Sequence, residues 1–344
     1  MKNKIFILFT VLFVTLTSCT NDDVEFDNFD YQSVYFAYQF PVRTITLGED
    51  VFDTTLDNEF KCRIMATLGG VYSNDKDVTI DIEVANSLTT GLIFKDAGND
   101  ILPMPSNYYS LLSNKIVISK GQITGGVDVQ LTDAYFADPL ALKNNYVIPV
   151  KMTNVVNADT ILSGKALISN PNRAIAADWS VLPKDYILYA VKYINKWDGN
   201  YLRRGKDVIV GNNGNTSLNA TVVRHKTYVE NDEVLKINTL SLKTINFPVV
   251  YKDAAGNNIS CKLILSFDES GNCTVSSSDP GAYTATGTGK FVKKGEKNSW
   301  GSKDRDALYL DYKVNLQDFN VTTNDTLVLR DRAVKAETFI PLLK

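Results

Sequence analysis

A single histidine in 344 residues narrows the chemistry at the outset. His225 stands in "TVVRHKTYV", between Arg224 and Lys226 among alternating strand residues, and reads as a strand-face side chain. An imidazole-ligated metal centre would therefore lack its ligands, and a Ser-His-Asp triad would have to use His225 as its base. Cysteine is scarce as well: apart from Cys19 there are Cys62, Cys261 and Cys273, with no pair at zinc-ligand spacing. Cys261 and Cys273 flank a hairpin turning at Asp268 to Gly271. In that register Phe267 faces Cys273, and Cys261 lies about 20 Å further along its strand, beyond disulfide reach. These thiols read as small buried apolar side chains. No G-x-x-x-x-G-K-[ST] or G-x-G-x-x-G run occurs, so a phosphate cradle is not expected. Gly287 and Gly289 in "TGTGKF" fall inside a strand pair and read as a bulge or a close approach of two backbones. "NDKDVTIDIE" and "DESGN" carry oxygen ligands without the register of a calcium loop and read as turns. A basic excess is missing too: 36 Lys and Arg face 39 Asp and Glu, a net charge of −3, which argues against a nucleic-acid partner. No cofactor, no metal and no nucleic acid is expected.

Long apolar runs are confined to one. Ile5 to Leu16 carries no charge and follows Lys2 and Lys4; it is short for a spanning helix, which needs about 20 residues. Leu16-Thr17-Ser18-Cys19 comes next, and the order of charged, apolar and small-residue regions is that of a signal peptide over 1–18. The "LTSC" run resembles the bacterial lipobox, which implies diacylglycerol on the Cys19 sulfur and cleavage before it. An ordinary cleaved signal peptide with an incidental cysteine is the alternative. Residues 19–30, "CTNDDVEFDNFD", are acidic and read as a solvated tether. Asp22-Asp23 resembles the export signal of surface lipoproteins in Bacteroidetes. The expected location is the outer membrane, lipid-anchored, facing the cell exterior.

What is abundant is alternation. In "DVTIDIEVA" Val78, Ile80, Ile82 and Val84 share one face and Thr79, Asp81 and Glu83 the other, the pattern of a half-buried strand. Similar runs at 33–40, 61–68, 114–119, 126–131 and 145–152 give about seven short strands, and predict an immunoglobulin-like β-sandwich over 31–170. Residues 171–185, with two prolines and an interrupted apolar pattern, read as a linker in which Trp179 covers a domain edge. In "YILYAVKYINKWDGNYLRRG" Tyr186, Tyr189, Tyr193 and Trp197 recur every three to four residues, which fits a short helix, with a strand as the alternative. From Gly199 the chain reads as sequential antiparallel strands, an up-and-down β-barrel over 186–344. The fold class expected is all-β throughout.

"YINKWDGNYLRRG" is similar to the opening of lipocalin-like barrels, with Tyr201 where that family has tryptophan. The resemblance implies that Trp197, Tyr201 and a late arginine, Arg330 or Arg332, close one end of the barrel. Taken with "LPMPSNYYSLLSNKIVISKG" and "GTGKFVKKGEKNSWGSKDRDALYLDY", the layout resembles two-domain lipoproteins of gut Bacteroidetes. That resemblance implies a non-catalytic accessory of glycan uptake, partnered by a polysaccharide or oligosaccharide and an outer-membrane glycan importer. No catalytic residues come with it.

The residues themselves nominate one candidate site. Trp300 lies in "KKGEKNSWGSKDRD", the most hydrophilic loop of the barrel half. A pyranose has an apolar C–H face and a rim of hydroxyls, so an aromatic platform beside Asp304 and Arg305 would suit it. Alternatively Trp300 folds back as a plug over the barrel end. Glycoside hydrolysis would need two carboxylates about 5 to 10 Å apart; Asp304, Asp306 and Asp311 follow Trp300, yet nothing in the sequence selects a pair. Cell adhesion, with the barrel as a protein-binding head, and a glycoside hydrolase are the rival readings.

Overall fold

A computed structural model describes residues 29–344. Cys19, the signal peptide and most of the acidic tether lie outside the described residues. Two β-rich units follow one another, as the alternation requires.

In the first unit the strands Ser33–Tyr35, Lys61–Gly69, Thr124–Leu131, Lys115–Ile118, Val78–Val84, Tyr146–Val156, Tyr186–Ile194 and Pro41–Thr46 neighbour one another in that order. Their inward residues meet in one core: Ile64 and Leu68 from one side, Ile80, Ile148 and Val150 from the other, with Tyr135 and Phe136 of the short helix Asp133–Ala137 between. Most ladders are antiparallel, but Pro41–Thr46 runs parallel to Tyr186–Ile194.

Tyr186–Ile194 corrects the expectation of a helix that opens the barrel. It is a strand of the first sheet, paired with Tyr146–Val156 on one side and Pro41–Thr46 on the other. Ile187, Tyr189, Val191 and Tyr193 face the main core, whereas Tyr186, Leu188 and Ala190 face a second one with Phe94 and Phe339. A strand buried on both faces loses its polar alternation, and its tyrosine spacing then imitates a helix.

The second unit is a closed antiparallel barrel. Gly199–Gly211 pairs with Glu233–Thr239, and the ring continues through Thr244–Lys252, Asn258–Phe267, Asn272–Ser277, Thr284–Glu296 and Arg305–Asn315 to Phe319–Asp331. Phe319–Asp331 then pairs back along the whole of Gly199–Gly211, from Gly211↔Phe319 to Asn200↔Asp331. Ala220–Arg224 adds to the second half of Gly199–Gly211, in line with Glu233–Thr239. Alternation places Cys261, Leu263, Leu265 and Phe267 inside, and burying each of the larger ones contributes about 1.5 to 3 kcal/mol. Cys261 and Cys273 are buried free thiols. The glycines of "TGTG" lie in unbroken ladder: a Cβ on Gly287 would stand 2.4 Å from the Asp311 carbonyl oxygen, so this is close approach, not a bulge.

The barrel is an insertion in the first unit. After Asp331 the chain returns: Glu337–Thr338 pairs with Pro41–Thr46, and Pro341–Leu343 pairs with Leu92–Phe94. The expected unit 186–344 is therefore shortened at both ends, because its first strand and its tail complete the sandwich.

Candidate functional site: a cleft between sandwich and barrel

Where the barrel meets the sandwich there is a cleft of about 510 Å³. Three segments far apart in sequence form it: Glu49 to Val51 of the sandwich, the Trp300 hairpin, and Leu329 to Val334 at the barrel exit.

The sandwich wall is held by Gly48. Its φ of +89° is in the left-handed region, and a Cβ would stand 2.7 Å from Lys196 Cβ, so glycine lets the loop approach the start of the barrel. Asn58 donates to the Gly48 carbonyl at 3.0 Å and Thr54 donates to it at 2.7 Å. Across the junction Lys293 reaches Glu49 at 2.5 Å.

The hairpin carrying Trp300 is pinned in detail. Lys294, Asn298, Gly301 and Ser302 all have positive φ, and backbone of this kind persists only where the surroundings over-determine it. Asp304 accepts from the Asn298 amide at 3.1 Å and from Lys297 Nζ at 3.0 Å. The Lys297 hydrogen bond holds the Asp304 carboxyl below its ordinary pKa. Asp306 accepts from the Lys294 amide at 2.8 Å.

Trp300 itself is half-buried. Its Nε1 donates to the Leu329 carbonyl at 3.2 Å, and Arg305 Nε donates back to the Trp300 carbonyl at 3.1 Å. The Arg305 guanidinium carbon is 3.3 Å from the ring centroid, a cation–π contact that fixes the indole. The ring lines the cleft wall and lies outside the apolar core cluster of the barrel. Trp300, Asp304 and Arg305 come together in the cleft; Asp311 points away on the outer face of its strand, where Asn324 donates to it at 2.5 Å.

Of the two late arginines expected at this end of the barrel, the structure buries Arg332 and exposes Arg330. Trp197 is buried and stacks on Phe267 with centroids 3.9 Å apart, and Tyr201 donates to the Trp197 carbonyl at 2.9 Å. Arg330 is exposed on the cleft wall and leans on Asp331 at 3.4 Å. The buried arginine at that end is Arg332: it has the parity of Arg330 but lies just past the last ladder residue, Asp331, where the chain leaves the strand and turns toward the sandwich. Its guanidinium donates to the carbonyls of Leu47 and Glu49 at 3.2 Å and of Asn195 at 2.6 Å, which joins both ends of the inserted barrel to the sandwich. Burial pushes its pKa down from the ordinary arginine value.

A second polar cluster, inside the barrel, has no counterpart in the motif reading. Arg203 donates to Asp325 at 3.0 and 2.9 Å, Tyr312 donates to the same carboxylate at 2.9 Å, and Arg224 bridges Asp325 and Asp207. Thr323 donates to Asp207 at 2.7 Å. The available signal was parity: Tyr201, Arg203 and Asp207 share one face, as do Val321, Thr323, Asp325 and Leu327.

A Bacteroides ovatus protein of unknown function, solved as a crystal structure, is 49% identical, with 92% of this chain and 100% of that one covered and a TM-score of 0.87. The chain belongs to the same family. Within this two-domain family, residues 196–333 match the Domain of unknown function (DUF5627), and residues 26–159 match a family described as an N-terminal domain. The first match starts after Tyr186–Ile194, in line with the place of that strand in the sandwich. A second Bacteroides ovatus protein of unknown function has 12% identity, coverage of 90% of this chain and 99% of that one, and a TM-score of 0.41. A third, described as a candidate carbohydrate binding protein, has 13% identity, coverage of 89% and 97%, and a TM-score of 0.27. Neither of these two carries weight for this chain. No protein of curated function matches.

Proposed function

We propose that this protein is a non-catalytic, lipid-anchored protein of the outer cell surface that binds glycan in the cleft between its two units and assists delivery to an outer-membrane importer. The reading is carried by one observation: Trp300 lines a cleft of about 510 Å³ together with carboxylates and guanidiniums. An aromatic face for C–H groups ringed by donors and acceptors for hydroxyls is what sugar recognition uses. The "LTSC" run supports the anchor, and the acidic residues behind it support the outward location. The hydrolase is the weaker reading: Asp304 and Asp306 hold the hairpin, Glu49 and Asp331 are paired with Lys293 and Arg330, and Asp50 is left without a second uncommitted carboxylate opposite it, where a hydrolase needs two.

Isothermal titration of the chain without its signal peptide against a polysaccharide panel tests the reading. Trp300→Ala is expected to weaken binding by about 2 kcal/mol, as for a buried aromatic anchor. The same change should lower stability by about 1 to 2 kcal/mol, the worth of the Nε1 hydrogen bond and the Arg305 contact together. No binding to any polysaccharide at millimolar concentration would reject it, and product release would replace it with the hydrolase.

A further inference from the structure

We infer that the end of the sandwich opposite the cleft is a membrane-contact surface, on which Phe29, Tyr31, Tyr72, Ile123 and Val156 rest in the lipid headgroup region while the cleft is held away from it. The inference rests on the lipid-anchored reading above.

Four segments meet at this end. The Phe29 amide donates to the Gly70 carbonyl at 3.0 Å, the Leu68 amide to the Ile123 carbonyl at 2.8 Å and the Asp159 amide to the Gln32 carbonyl at 3.0 Å. Asn157 Nδ2 donates to the Asp77 carbonyl at 2.8 Å. Two residues make the assembly firm. Asn74 is buried; its Nδ2 donates to the Ser119 and Gln122 carbonyls at 3.2 and 2.6 Å, and its Oδ1 accepts from the Gly121 amide at 3.0 Å. Gly70 has a φ of +89°, and a Cβ there would stand 2.2 Å from the Tyr31 carbonyl oxygen, so glycine lets the incoming chain lie this close.

Apolar side chains stand out on this frame. Phe29 is 72% exposed, Tyr72 62%, Tyr31 60%, Val156 50% and Ile123 44%. Single exposed apolar residues are ordinary, but a group of five at one end of a fold marks a contact site. Tyrosine, with an apolar body and a polar tip, suits headgroup depth. The exposed charges around these residues are mixed, Asp30, Asp75, Asp77 and Asp159 against Lys76 and Lys120. Contact therefore depends on burying rings, not on attraction to an anionic surface.

Tether length favours lipid over a protein partner. Ten residue steps lead from Cys19 to Phe29, at most about 35 Å of extended chain, so an anchored Cys19 keeps this end beside the bilayer. The cleft lies at the other end. Val156 pairs with Thr79 at the aromatic end, and Tyr186–Ile194 runs back along Tyr146–Val156, with Tyr186 opposite Lys151 and Ala190 opposite Val147, to enter the barrel after Ile194. At about 3.3 Å per residue, Tyr146–Val156 alone spans about 33 Å.

The test uses the full chain expressed with its signal peptide, purified from membranes and reconstituted in phosphatidylcholine vesicles. Cys62, Cys261 and Cys273 are buried, so a thiol dye labels one introduced cysteine, in Ile123→Cys or, on the outer face of the barrel, in Lys313→Cys. Lipid with a nitroxide headgroup should quench the dye at 123 about threefold more than the dye at 313, equally at about 50 and 500 mM salt. Changing Phe29, Tyr31 and Tyr72 to serine in the Ile123→Cys chain should remove most of that difference with unchanged melting temperature, since all three side chains are exposed. Equal quenching at both positions, or no effect of the serines, would overturn the inference and leave the anchor reading standing. A dye site at 123 that is unquenched in vesicles but shielded from a water-soluble reagent on whole cells would overturn it in favour of a protein partner. Chain recovered from membranes without lipid on Cys19 would overturn the anchor reading and the inference with it.

Discussion

Asp325 organises the barrel interior. Its carboxylate is fully buried and takes hydrogen bonds from Arg203, Arg224 and Tyr312. The position opposite is Gly205, where a Cβ would stand 2.2 Å from Asp325 Oδ1, so the missing side chain is what lets the acid turn inward. Asp325→Ala would leave the buried Arg203 guanidinium with only the Tyr312 hydroxyl and a 3.7 Å contact to the exposed Glu233, and Arg224 with Asp207; breaking a buried pair by removing one partner costs about 3 to 5 kcal/mol. Urea unfolding should show that loss; a change below about 1 kcal/mol, the range of exposed pairs, would mean the network is solvated. Two phenols, Tyr193 buried and Tyr309 half-buried, give a pH signature at the same scale. Burial pushes Tyr193 up to about 12, and burial together with the Glu296 hydrogen bond does the same for Tyr309. Their folded pKa exceeds the unfolded value of about 10, so the unfolded chain releases these protons first. The stability they contribute is complete below about pH 10 and is lost as pH rises toward about 12. Phenolate absorbance should rise in two steps, the later one with the alkaline transition; a single step near pH 10 would contradict the burial.

At the scale of elements, the sequence was legible wherever one face of a strand is wet. Asn258–Phe267 and Asn272–Ser277 alternate strictly and turn at "DESG", and the structure pairs Phe267 with Cys273 as that turn requires. Tyr186–Ile194 was not legible as a sandwich strand, since burial on both faces erases the period on which the reading depends. Glu233–Thr239 escaped for the opposite reason: its first four residues are exposed or half-buried, and a run without an apolar face looks like a loop. The candidate site divides in the same way. Trp300, Asp304 and Arg305 are neighbours in the chain, so composition alone could associate them. Glu49, Asp50 and Arg332 reach the same cleft across separations of more than 280 residues, and no local pattern encodes such a meeting. The Arg203 to Asp325 network needed two strands placed side by side before its charges could be matched.

For the whole molecule, insertion of the barrel has a mechanical consequence. The chain enters the barrel from a central sandwich strand and leaves it to finish the same sandwich, so both connections are anchored in one core. Arg332 ties Asn195 at the entry to Leu47 and Glu49 of the sandwich, which fixes the walls of the cleft relative to each other without a domain hinge. The tail is what makes this closed arrangement. Phe339 is 6% exposed and packs on Phe94 and Phe40 with centroids 4.9 and 5.6 Å apart, between the two short strands that pair with Pro41–Thr46 and Leu92–Phe94. Phe339→Ala removes that wedge, and a buried Phe→Ala change costs about 3 to 5 kcal/mol. The loss should be local: hydrogen exchange should accelerate in Pro41–Thr46, Leu92–Phe94 and Tyr186–Ile194 while the ladder between Arg305–Asn315 and Phe319–Asp331 keeps its protection. Equal acceleration in both units would show instead that sandwich and barrel unfold as one cooperative body, with the tail supporting the cleft as well as the sandwich.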